Sequence, residues 1–110
     1  MRLDELGAFG PTTAVYSGYE SVTGSYQLLV GRQVRDSSPV SAPLQVVSTS
    51  PGSYRAFRCT GPLPQAVIDG WRDVWTYFAS ANVPARAYTF DFEIYPDAGP
   101  VEIWVAVRDR

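Results

Sequence analysis

Within the run Tyr88-Thr89-Phe90-Asp91-Phe92-Glu93-Ile94-Tyr95, two carboxylates and a phenol occupy alternate positions. In an extended chain, side chains two apart share a face, so Asp91, Glu93 and Tyr95 stand together. A second alternating run, Val101 to Val107, follows the break Pro96-Asp97-Ala98-Gly99-Pro100. The two runs read as strands of a hairpin. The expected register sets Phe90, Phe92 and Ile94 beside Val101, Ile103 and Val105 on the core side. It groups Asp91, Glu93 and Tyr95 with Glu102, Trp104 and Ala106 on the other. A carboxylate among aromatic rings suits the capture of an organic cation. The charge supplies one attraction and each ring face adds about 0.5 to 2 kcal/mol. Glu93 is the residue on which that chemistry turns, with Tyr95 and Trp104 as walls.

Composition narrows the alternatives. The 110 residues are read as one domain spanning 1–110, large enough for a single core. All nine basic residues are Arg and the net charge is -2, so the basic footprint of a nucleic-acid binder is missing and direct DNA binding is not expected. The chain has no His and one Cys, Cys59, which excludes an internal disulfide and argues against a zinc site or other metal cofactor. The missing His also removes the commonest general base. No apolar run approaches a membrane span and the N-terminus shows no signal-peptide core, so a cytoplasmic location is expected.

Around the opening hairpin the other elements fall into order. Met1 to Gly10 reads as a helical turn or ordered arm, with Leu3, Leu6 and Phe9 at threefold spacing. Extended runs follow at 14–19 and 26–34, then a Ser/Pro loop over 36–42 and a short strand at 44–48. Ser50-Pro51-Gly52-Ser53 is a turn signal, and 54–60 forms the next strand. One long helix is expected from Pro64 to Ala81, opened by a proline tolerated in the first turn. Its apolar stripe is Val67, Trp71, Val74 and Phe78, widened by Ile68 and Trp75. Asn82-Val83-Pro84 ends it. The hairpin runs at 13–30 and 89–105 echo each other in spacing, which points to a strand–helix–hairpin unit used twice, with the first copy lacking a full helix. A duplicated unit leaves a cleft between its copies, where pockets commonly form.

Three segments together, Pro51-Gly52-Ser53-Tyr54, Gly61-Pro62-Leu63-Pro64 opening a Trp-bearing helix, and Phe92-Glu93-Ile94-Tyr95 with Val101-Glu102-Ile103-Trp104-Val105, resemble the GyrI-like small-molecule-binding domain. This is the effector-binding domain of AraC- and MerR-type multidrug-sensing regulators. The likeness covers roughly residues 12 to 108. It implies α+β architecture: a duplicated βαββ unit, here with a truncated first repeat, one long helix and a curved antiparallel sheet of roughly six strands. It also implies a cleft glutamate that pairs with lipophilic cations between aromatic side chains. Glu93 matches that glutamate by position in the motif, and Tyr95 a neighbouring wall. No DNA-binding helix-turn-helix accompanies the resemblance, which leaves a free-standing module similar to those carried on mobile gene cassettes.

Of Trp71 and Trp75, one is expected to reach the cleft, and Trp71, nearer the helix start, is assigned to it. Tyr19 and Tyr26 flank the first hairpin's turn and are candidate walls, with plain packing the equal alternative. The leading function is a non-enzymatic binder of bulky lipophilic cations such as dyes and drugs. The alternative implied by the resemblance is a hydrolase of strained electrophiles, with Glu93 as general base and Trp71 or Trp104 orienting the substrate. Homo-oligomerisation is expected as well, to cover apolar surface left by the missing helix.

Overall fold

The alternating runs become strands and the periodic run a helix. The structure, a computed structural model, describes residues 8–19, 25–34, 52–80 and 82–108. The strands are β1 (Phe9–Ser17), β2 (Gln27–Gln33), β3 (Ser53–Cys59), β4 (Arg86–Tyr95) and β5 (Val101–Val107). Helix α1 (Gln65–Ala79) lies between β3 and β4 in the chain. The strands form one sheet in the order β2-β1-β4-β5-β3, with every neighbouring pair antiparallel. The architecture is thus α+β, with five strands and one helix among the described residues.

Strand β1 begins earlier than its alternation implied. Phe9 pairs with Gln33, and an irregularity before Thr13 lets the chain join β2 at that point. Gly10 supplies the kink at φ +75°, a conformation glycine adopts without steric cost. Phe9 and Gly10 are therefore strand residues and not the end of a helical turn. The rest of that turn, the loop at 36–42 and the strand at 44–48 lie outside the described residues.

The decisive correction concerns the hairpin of β4 and β5. Asp91 pairs with Val105, Phe92 with Trp104, Glu93 with Ile103 and Ile94 with Glu102. The intervening 96–100 segment has an odd number of residues, so odd positions face odd positions. Register fixes which side chains share a face, and a slip of one residue exchanges the faces. Asp91, Glu93 and Tyr95 thus share the helix-covered face with Val101, Ile103 and Val105. Phe92, Ile94, Glu102 and Trp104 lie on the reverse face, where Tyr54 contacts both Phe92 and Trp104.

Helix α1 packs over β3 and β5. Its buried stripe is Ala66, Gly70 and Val74, which meets Cys59, Val101, Ile103 and Val105. Val67, Trp71 and Phe78 border this core. Ile68 and Trp75 do not widen the stripe as expected. Both are exposed, Trp75 by 60%. The small residues at 66 and 70 bring the helix close to the sheet on one side and rotate its bulky edge outward.

Gly70 sets that approach. A Cβ added there would lie 2.5 Å from Cys59 Sγ and 3.0 Å from Ile103 Cδ1. Gly70→Ala gains up to about 1 kcal/mol of helix propensity, but overpacking of this kind costs about 1–3 kcal/mol. Net destabilisation is expected, read as a lower urea midpoint. Gly31→Ala, where a Cβ meets nothing within 4 Å, is the control and should stay within about 0.5 kcal/mol of the parent. An unchanged midpoint for Gly70→Ala would contradict the packing.

Candidate functional site

Strand β4 runs through the middle of the sheet and carries its two buried carboxylates on the helix side. Glu93, only 5% exposed, has Ala14 of β1 on one flank and Ile103 of β5 on the other. Neither neighbour is polar, so its oxygens are satisfied from elsewhere. Tyr16 OH donates to Oε2 at 2.8 Å, Trp71 Nε1 to the same oxygen at 2.5 Å, and Tyr95 OH to Oε1 at 2.7 Å. The three donors come from β1, α1 and β4. All are neutral. Among the described residues no Arg forms an ion pair with Glu93; the ion pairs are Arg72–Asp69 and Arg86–Asp91.

Asp91, two residues earlier and fully buried, has a different solution. Arg86 Nη2 donates to its Oδ2 at 2.8 Å and Tyr19 OH to the same oxygen at 2.5 Å. The Ala106 N–H donates to Oδ1 at 3.0 Å. This arrangement follows from an irregularity in β4. Arg86 faces Val107 while Asp91 faces Val105, so extra residues of β4 loop out, with Tyr88 at φ +55°. The excursion swings Arg86 back onto Asp91 and lays its guanidinium 4.5 Å from the centre of the Tyr88 ring.

Between the two carboxylates the aromatic side chains form a continuous row. Trp71 meets Tyr16 at 5.5 Å between ring centres, Tyr16 meets Tyr26 at 5.5 Å, Tyr26 meets Tyr19 at 6.1 Å, and Tyr19 meets Tyr88 at 5.7 Å. These are tilted and edge-on contacts within the range favoured by aromatic pairs. Tyr26 is exposed, so the row opens to solvent. The arrangement offers a buried negative charge at one end, a neutralised charge at the other and ring faces between.

Of the residues expected from sequence, Glu93, Tyr95, Trp71, Tyr19 and Tyr26 belong to this constellation. Trp104 does not. It lies on the reverse face, 36% exposed, and donates to Glu102 at 3.0 Å; the odd-length loop put it there. Tyr16, Tyr88, Arg86 and the paired role of Asp91 were missed. Alternation along β1 could have marked Tyr16, because Ala14 and Tyr16 share a face, but only the β1–β4 pairing brings it to Glu93. No local signal announces Arg86, whose partner is reached through an irregular strand.

Among the described residues no group of His, Cys, Asp and Glu is arranged to hold a metal ion. No described helix is long and apolar enough to cross a membrane. The model of the family Cass2, integron-associated effector binding protein, matches residues 2–107. The crystal structure of integron cassette protein VCH_CASS2, from the mobile metagenome of Vibrio cholerae, is similar at 39% sequence identity and a TM-score of 0.71. That likeness covers 89% of this chain and 63% of the crystallised one, so this chain spans under two thirds of that protein's length. No curated protein matches the sequence.

The phenols that hold the carboxylates are bound to their protons. Burial, then the hydrogen bond to Glu93, raises Tyr16 and Tyr95 well above the usual phenol range. Burial and then Asp91 do the same to Tyr19. An unfolded chain releases these protons near pH 10, about the ordinary phenol value. The folded chain holds them, so above that pH the unfolded state carries fewer protons and stability falls as pH rises. The stabilisation is fully present below about pH 10. The urea midpoint should therefore decline above about pH 10, and Tyr16→Phe should reduce the steepness. A midpoint that rises over that range would contradict the assignment.

Proposed function

This chain belongs to the Cass2 family of integron-associated effector binding proteins, and we propose that its effector is a bulky, planar, lipophilic cation selected by Glu93. One observation carries the reading: a buried carboxylate held by three neutral donors, with no cation paired to it among the described residues. Three donors leave one of a carboxylate's roughly four acceptor positions for a further partner. A cation arriving there completes a pair in a medium of low dielectric, where the attraction exceeds that on a wet surface. Trp71 and Tyr16 stand beside the charge. Tyr26 and Tyr19 extend the wall, and Tyr95 fixes the second oxygen. Trp104 has no part in the proposal.

The duplicated βαββ plan belongs to the same reading. The two hairpins, β1–β2 and β4–β5, abut through their first strands, and the cleft lies where they join. Action in the cytoplasm is part of the proposal. So is self-association, since Leu28 and Val30 on the helix side of β2 are exposed. Sedimentation should show dimers or larger species at high concentration, and a clean monomer would remove that part.

Glu93→Gln keeps the shape and removes the charge. With charged hydrogen bonds worth about 1.5–3 kcal/mol, affinity for a cationic dye should fall roughly ten- to a hundredfold. A neutral isostere should lose little or gain. Titration by Trp fluorescence on both proteins separates the outcomes: equal loss for both ligands would reduce Glu93 to a structural role, and no binding of any cation at millimolar levels would end the reading. The hydrogen bond from Trp71 to Glu93 favours one second reading, the hydrolase. Steady disappearance of a cyclopropane-containing electrophile, abolished by Glu93→Gln, would support it; unchanged compound after long incubation would support the binder.

A further inference from the structure

Glu93 and Asp91 lie on one face of β4, two residues apart, so their attachment points are separated by about 7 Å at 3.3 Å per strand residue. The row Trp71, Tyr16, Tyr26, Tyr19 and Tyr88 leads from one to the other. Its first two members donate to Glu93, and Tyr19 donates to Asp91. Each end therefore has the same ingredients, a buried carboxylate, a phenol donor and ring faces. The difference in charge is Arg86. Its guanidinium sits 2.8 Å from Asp91 Oδ2 and 4.5 Å from the Tyr88 ring centre, in the position an organic cation would take.

We infer that Arg86 acts as an internal cation that fills the second half of the cleft and restricts it to ligands with a single positive charge. The inference rests on the proposed role of Glu93. An elongated aromatic monocation places its charge at Glu93 and its neutral end along Tyr16, Tyr26 and Tyr19. A dication of similar shape brings its second charge to an end where the carboxylate is already paired with the Arg86 guanidinium. That second charge loses its water with no counter-charge in return, and like charges brought together at a binding site are rejected. Arg86 is thus a specificity-determining residue. The looped-out stretch of β4 that carries it is the device that places it.

The test compares ethidium, a monocation, with propidium, which carries a second cationic group on the same phenanthridinium core. The parent protein should bind ethidium at least about tenfold more tightly than propidium, as expected where like charges are opposed. Arg86→Gln frees Asp91 and should close or reverse that gap, while Arg86→Lys should preserve it. Should Arg86→Gln fail to fold because Asp91 is left buried and unpaired, the double variant Arg86→Gln/Asp91→Asn removes both charges and should still narrow the gap. Asp91→Asn alone leaves Arg86 uncompensated and should widen it. Equal affinity for the two dyes in the parent, or a gap unmoved in Arg86→Gln and the double variant, overturns the inference while leaving the Glu93 reading intact. Failure of the parent to bind either dye, with unchanged Trp fluorescence, overturns both.

Discussion

Taking a carboxylate out of water costs several kcal/mol unless donors or a counter-charge replace its hydration. Strand β4 meets that demand twice within three residues and in two ways. At Asp91 an arginine and a backbone N–H supply what water supplied. At Glu93 two phenols and an indole do so without adding charge. The second solution also ties the fold together. Its donors reach in from β1, from the helix and from β4 itself, so the requirement of one side chain orients Trp71 over the sheet and sets Tyr16 against it. The helix core alone, built of Ala66, Gly70 and Val74 on β3 and β5, would hold α1 down without deciding which ring looks toward β1.

That demand exists only because of strand parity. Five residues between β4 and β5 make Glu93 the neighbour of Ile103. One residue more or fewer would put Phe92 under the helix and both carboxylates in water, an ordinary amphipathic hairpin. The sheet accepts the harder arrangement, and the reverse face receives Phe92, Trp104 and Tyr54 as a small aromatic cluster of its own.

Much of this was legible in residue types alone. Alternation located the hairpin strands, and apolar residues at the helical period located the helix to within two residues at each end. Alternation set Tyr95 on the face of Glu93, and Trp71 was assigned to the cleft from its place near the helix start, without Glu93 named as its hydrogen-bond partner. Trp104 was misplaced because alternation says which residues share a face within a strand but not which faces meet across a loop. Tyr16 depends on contact between segments far apart in the chain. Arg86 depends on a strand irregularity that pattern reading passes over. The long-range pairings and the irregular backbone are where local sequence carries least.

The close seat of Gly70 has one more consequence. The chain's one cysteine lies directly beneath it, and burial, reinforced by Glu93 and Asp73, pushes the Cys59 thiol up. A protonated thiol is a poor nucleophile, and this one is roofed by helix backbone. Reaction with an alkylating reagent then waits on separation of helix from sheet. Cys59 is in effect a clock placed under α1, and its labelling rate times how often the helix lifts.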